Sequence, residues 1–259
     1  MMVDLHNKVA LITGAAERAG KNIALTLAKA GVDIAITHLH TFDAAKETKA
    51  EIEALGRRCL CADADIANIK QMTDFVDVIE AEFGRLDFLI HNACNYNRQT
   101  LFDVKEEHWD SSHDIIVKGP FFLSQYAAKL MLKNNFGRII ALVGNSYYEV
   151  WPKCLPHLVA KSALVKMMEC LAIALSPDIQ CNSICPSQFL LTGDADHDIN
   201  YKKQLGQTIS EDGKYHIVQN SKLYRGNPDD VSELVLFLCS CSNYINGAVI
   251  PIDAGKRLL

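Results

Sequence analysis

Short apolar runs alternate with longer stretches whose apolar positions recur every three or four residues, from one end of the chain to the other. The first pattern predicts buried strands and the second amphipathic helices. Strands are predicted at 9–13, 33–38, 59–62, 88–90, 138–143, 180–184 and 249–252. Helices are predicted at 21–30, 43–55, 69–83, 106–134 and 157–175, and around Val231, Leu234, Val235 and Leu238. Gly31, Gly56 and Gly84 each follow a helical stripe, where a left-handed residue ends a helix. Pro120 predicts a break or kink in the long helix at 106–134. This alternation predicts an α/β fold: one doubly wound Rossmann-type domain over residues 1–259, with a seven-stranded parallel sheet. Residues 190–223 are polar and weakly periodic. They follow a strand end, where ligands bind in open α/β sheets, so they read as a substrate lid in preference to the alternative, a merely variable surface loop.

Composition narrows the picture. The 259 residues are 49% apolar and 22% charged, ordinary for a soluble globular protein. A net charge of -5 argues against a nucleic-acid partner, which would want a basic face. The nine cysteines are odd in number and lack a Cys-x-x-Cys, so neither a disulfide framework nor a metal site is expected. The N-terminus carries no basic-then-apolar leader pattern, and no apolar run approaches the length of a membrane span. The expectation is a soluble cytoplasmic protein that meets a small molecule.

Thr13-Gly14-Ala15-Ala16-Glu17-Arg18-Ala19-Gly20 lies between the first strand and the first helix. Gly14 permits a tight turn, and Gly20 permits close packing of helix on strand. The backbone N–H groups around Ala19 at the helix start suit a pyrophosphate. Further on stand Asp65-Ile66, His91-Asn92-Ala93, Lys161, Asn182-Ser183-Ile184-Cys185-Pro186 and the tail segments Tyr244-Ile245-Asn246-Gly247 and Ile252-Asp253-Ala254-Gly255. Together these resemble the short-chain dehydrogenase/reductase family over nearly the whole chain. The resemblance implies a nicotinamide-dependent oxidoreductase. It implies that Asp65 and Ile66 hold the adenine, Asn92 and Ala93 line the cleft, and Lys161 binds the nicotinamide ribose. Pro186, Ser187 and Phe189 would flank the nicotinamide. The family commonly forms homodimers or homotetramers through its long helices. Leu164, Met167, Met168 and Leu171 are candidates for that face, although core packing explains them as well.

An NAD enzyme usually ends its second strand on a carboxylate that accepts from the ribose 2′-OH. Here the segment is Thr37-His38-Leu39-His40-Thr41, which has none. Arg18 replaces the family's middle glycine and brings a cation near the phosphates. Arg18 with His38 and His40 is similar to the pteridine-reductase branch, which implies NADP(H) in preference to NAD(H). Alternatively, Arg18 pairs with Glu17 or Asp43 and the pocket is indifferent.

The family's catalytic asparagine, serine, tyrosine and lysine correspond here to Ile116, Gly144, His157 and Lys161. Only the lysine remains. A positioned general acid contributes about 10²–10⁴ in rate, and neither Gly144 nor Ile116 donates or orients a proton. Ketone reduction is therefore the reaction this site is least equipped for. An activated C=C or C=N bond, whose reduction needs no strong enzymic acid, suits it better. Three readings stay open for His157: replacement acid, neutral orienting donor, or a helix-start residue with no role. Tyr147 and Tyr148 are candidates for a relocated phenol, or they pack against the lid with Trp151. Asn145, Ser146 and Trp151 are candidates for substrate contact. Two further functions compete: an NADP(H)-binding sensor or partner subunit without turnover, and a non-redox isomerase or cyclase.

Overall fold

All seven predicted strands form, each within about two residues of its expected bounds. The computed structural model describes residues 2–187, 208–210, 214–218 and 221–259. The main sheet contains β1 (Val9–Ile12), β2 (Asp33–His38), β3 (Cys59–Asp63), β4 (Phe88–His91), β5 (Gly137–Leu142), β6 (Ile179–Pro186) and, after three short strands, β10 (Val249–Ile252). The strand order is β10-β6-β5-β4-β1-β2-β3, and every pairing is parallel. β1, β2, β4 and β5 are buried along their whole length. That explains why they read as continuous apolar runs, since a parallel sheet is covered on both faces. Two apolar clusters, one around Leu11, Leu89 and Ile139 and the other around Ile12, Ile34 and Ile90, fill those faces. Progress outward from β1 reverses at β4, and the crevice between their carboxyl ends is where such a fold binds ligands.

The helices are α1 (Arg18–Lys29), α2 (Phe42–Ala54), α3 (Ile69–Phe83), α4 (Glu106–His113), α5 (Gly119–Leu132), α6 (Leu155–Ala174) and α7 (Pro228–Ser240). The predicted kink near Pro120 takes a different form. Asp114–Lys118 makes one turn of π-helix between α4 and α5, and Pro120 sits in the first turn of α5. A proline ring crowds the carbonyl four residues back, here that of Ile116, and a widened turn relieves this.

Leu164 and Met168 are 2% and 1% exposed and belong to the core, while Met167 and Leu171 pack against it. Core packing, one of the two readings of this stripe, thus accounts for Leu164 and Met168. The predicted lid at 190–223 falls largely outside the described residues. Its described part is not irregular: β7 (Thr208–Ile209), β8 (Tyr215–Val218) and β9 (Ser221–Tyr224) form a small antiparallel sheet. Strands this short leave too few alternations for the sequence pattern to register. Among the described residues, no helix is long and apolar enough to cross a membrane.

Candidate active site

The turn after β1 is shaped by close backbone approach. Gly14 has φ +62°, and a Cβ there would lie 3.0 Å from the Ala93 Cα. At Gly20 a Cβ would lie 2.7 Å from the Ala15 Cα, from the Gly14 carbonyl oxygen and from the Asn92 Nδ2. Asn92 clamps this turn to the end of β4. Its Nδ2 donates to the carbonyls of Thr13 and Gly14, each at 2.9 Å. The backbone N–H groups of Asn92 and Ala93 both donate to Thr13 Oγ1 at 3.1 Å. Arg18 opens α1 at φ +56°, a left-handed conformation that explains why the family's motif carries glycine there.

A cleft of about 590 Å³ runs past this turn. Gly14, Arg18, Ala19, Gly20, His38, Asp65, Ile66, Asn92 and Ala93 all line it, so most of the predicted cofactor residues come together. Asp65 also fixes its own turn, with its carboxylate accepting from the N–H of Ala67 at 2.9 Å. Pro186 and Ser187 stand apart at the end of β6, and Ser187 lines a separate cavity of about 350 Å³ with Asp253 and Lys256. Phe189 lies outside the described residues. The glycine cradle and the missing Cβ atoms fit a dinucleotide pyrophosphate.

The second strand ends without a carboxylate, its one acid, Asp33, lying at the opposite end, but the neighbouring β3 ends on Asp63. Asp63 is the register partner of His38. Its Oδ1 accepts from the His40 backbone N–H at 2.7 Å, and its Oδ2 lies 3.3 Å from His40 Nδ1. The backbone N–H of His40 is the main cause holding this carboxyl below its usual range. The signal was the pairing of two neighbouring strand ends, which a search along one strand misses.

Beside the cleft, joined to it by Tyr96, stand α6 and the segment after β5. His157 and Lys161 lie four residues apart on one face of α6, and both are buried. His157 Nδ1 lies 2.9 Å from the Asn95 carbonyl. That carbonyl can only accept, so the ring proton is on Nδ1 and Nε2 is left as an acceptor. Burial pushes the His157 imidazole down to about 4, with the Lys161 charge adding to the effect. At neutral pH the ring is therefore uncharged. Lys161 Nζ donates to the Leu142 carbonyl at 2.6 Å, and burial lowers its ammonium below the usual lysine range. His91, at the end of β4, is pushed down to about 3 by burial and then by Lys161. Its Nε2 lies 2.7 Å from Ser124 Oγ.

Gly144 has φ +92°, and a Cβ there would meet only ordinary contacts. The nearest atom to a Cβ there is Ser146 Oγ at 3.6 Å. Ile116, in the π-turn, is 1% exposed and apolar. Asn145 is buried and donates to Glu149 at 3.0 Å. Glu149 also accepts from the Trp151 indole at 2.9 Å and pairs with Lys256 at 3.3 Å. The C-terminal tail thus fixes this segment, a contact that sequence reasoning missed. Tyr147 and Tyr148 stack edge to face at 4.9 Å. Burial raises the Tyr148 phenol, the wrong direction for a proton donor, although Arg257 over its ring opposes the shift. Trp151 packs on Tyr96 at 6.4 Å, and Tyr96 meets the His157 ring edge to face at 5.4 Å. Tyr96 also lines the dinucleotide cleft. Its place four residues after Asn92 was the available signal. Among the described residues, no group of three or more histidine, cysteine or carboxylate side chains is set to hold a metal.

Comparison with known proteins adds to this geometry. The profile of the family described as enoyl-(acyl carrier protein) reductase matches residues 14–257. A curated relative, 2-dehydro-3-deoxy-D-gluconate 5-dehydrogenase of Dickeya dadantii (strain 3937), is 31% identical over 256 residues, covering 97% of this chain and 96% of the relative. A putative short-chain alcohol dehydrogenase from Sinorhizobium meliloti 1021 superposes with TM-score 0.84 at 32% identity, covering 97% of each chain. A short chain dehydrogenase from Burkholderia cenocepacia J2315 in complex with NADP gives 0.81 at 28% identity, covering 97% of this chain and 98% of that one.

Proposed function

The chain belongs to the short-chain dehydrogenase/reductase family, and from that premise we propose that it is an NADP(H)-dependent reductase of an activated C=C or C=N bond in a small molecule. When bound, the nicotinamide supplies the hydride. What the chain supplies is position. Gly14, Ala19 and Gly20 offer backbone to the pyrophosphate, and Asp65 with Ile66 borders the adenine side. Arg18, His38 and His40 support the choice of a 2′-phosphate over a 2′-hydroxyl.

The observation that carries the substrate class is His157. It is neutral, and its one ring proton is committed to the Asn95 carbonyl. A ketone needs a proton on its developing alkoxide. An enone spreads its charge into an enolate, and an iminium begins with positive charge, so neither depends on that donor. Ser146, whose Oγ lies nearest the side of Gly144, and the neighbouring Asn145 are the polar groups that would orient such a substrate in this reading. The description of the matching family as an enoyl reductase supports a C=C acceptor. Isomerisation or cyclisation on the same scaffold is a second reading, supported by the His157 Nε2 acceptor as a base. Pairing with a second copy of the chain accompanies either reading.

The test is turnover by the purified chain with NADPH and a panel holding an enone, an aryl iminium and saturated ketones of matching skeletons. The enone or iminium should oxidise the cofactor at least about tenfold faster than its ketone partner. Preference for the ketone overturns the reading. Product without cofactor consumption selects the isomerase, and tight binding with no turnover selects a sensor.

A further inference from the structure

Two buried polar atoms, His91 Nδ1 and Ser183 Oγ, lie in one row of the main sheet with no hydrogen-bond partner among the described residues. The register pairs His91 of β4 with Ala141 of β5, and Ala141 with Ser183 of β6. Register partners on a parallel sheet point to the same face. That face is the one whose core holds Leu89, Ala141 and Cys181 together with Leu123 of α5 and Leu164 of α6. His91 and Ser183 are 3% and 0% exposed, and in their row only the methyl of Ala141 stands between them. Lys161 reaches the same place from α6. Its Nζ donates to the carbonyl of Leu142, the residue after Ala141. An ammonium has three protons to donate, and the Leu142 carbonyl takes one. Among the described residues, no carboxylate pairs with this buried charge.

We propose that His91 and Ser183 share buried water with the Lys161 ammonium, and that His91 is thereby a positioning residue that keeps Lys161 charged beside the dinucleotide cleft. Its role in cofactor binding rests on the expectation that Lys161 holds the nicotinamide ribose. A buried polar atom without a partner is costly, and ordered water is its usual remedy. His91 and Ser183 spring from strands two spacings apart, about 10 Å, a span that an ammonium fills with a water on either side. Toward an ammonium, Nδ1 of His91 must accept. The ring proton then sits on Nε2 and is donated to Ser124 Oγ at 2.7 Å. This is the opposite tautomer to that of His157, whose proton is on Nδ1. Burial and the Lys161 charge push the His91 imidazole down to about 3, so it stays neutral, as an acceptor requires. The other titratable groups acting on Lys161 are His157, one turn earlier on α6, and the thiols of Cys94 and Cys185. None of these is a carboxylate, which leaves hydrogen bonding to offset the desolvation of the ammonium.

NMR of the full chain, labelled at lysine and histidine, reads the Lys161 midpoint and the His91 tautomer directly. In wild type at pH 7 the His91 proton should sit on Nε2, a reading that needs no variant to fold. In His91→Phe the Lys161 midpoint should fall by about one pH unit, a tenfold loss of proton affinity, and in Ser183→Ala by less. His91→Asn, which keeps an acceptor and a donor, should recover part of the loss. A His91 proton on Nδ1 overturns the proposal, as does a Lys161 midpoint unmoved in folded His91→Phe. An equal fall in His91→Asn marks a merely structural role and overturns it as well. NADPH titration of Lys161→Met tests the premise separately. Weakened binding supports the ribose role of Lys161, and unchanged binding overturns that role, while the two NMR readings judge the buried row by itself.

Discussion

At the carboxyl ends of β1 and β4, the cleft is held by backbone. Gly14 and Gly20 leave no room for a Cβ, and Asn92 spends its amide on two carbonyls of the facing turn. Beside it, at the end of β5 and in α6, the neighbouring region is held by side chains: His157 on Asn95, Asn145 and Trp151 on Glu149, and Glu149 on Lys256. The first construction tolerates almost no substitution, because any added atom strikes main chain. The second accepts replacement, because a different side chain finds a different partner. That contrast suits the expectation from the sequence that the departures at Ile116, Gly144 and His157 fall on the second construction.

The sharpest way to break the comparison is Gly20→Ala. Its Cβ meets three atoms at 2.7 Å, two of them backbone. Overpacking of this kind costs about 1–3 kcal/mol or more, and the turn must open to relieve it. Calorimetric titration should show NADPH affinity falling by about a hundredfold or more. Binding within a few-fold of wild type would mean that the cradle is not backbone-limited.

Acid comes next. The folded-state values of His157, about 4, and His91, about 3, lie below the ordinary 6.5. From pH 6.5 down to those values, the unfolded chain binds protons that the folded chain refuses. Stability therefore rises with pH through this window and is lost as pH falls, by up to roughly 3 kcal/mol for His157 alone. Urea unfolding at pH 7, 6 and 5 measures the slope, and His157→Gln should flatten it.

Gly144→Ser adds a hydroxyl where a Cβ meets only ordinary contacts, but at φ +92°. It should cost about 1–3 kcal/mol in thermal unfolding through backbone strain, without creating ketone reductase activity. The smallest effect is Arg18→Gly. Removing a side chain from φ +56° should stabilise the fold by about 1 kcal/mol. The same change should weaken NADPH more than NADH, as paired titrations would show.

The strands, the helices and the glycine cradle were legible because each is written locally, as a period or as a glycine that a positive φ requires. Asp63 was not, since it meets His38 only through the register of two strands. The Glu149–Lys256 pair joins residues over a hundred positions apart, and nothing local foretells it. His157 was visible as a substitution, but its role depends on the Asn95 carbonyl and on burial, which only the folded chain provides. Pro120 was rightly marked as an irregularity, though the irregularity lies at the carbonyl it crowds, one turn earlier.

The central claim is that the proton half holds a neutral imidazole with no proton to give. Nitrogen NMR of the full chain, labelled at histidine, reads both the charge and the tautomer of His157. The account predicts a midpoint below about 5 and a proton on Nδ1 at pH 7. A midpoint at or above 6, or a proton on Nε2 at neutral pH, would contradict it.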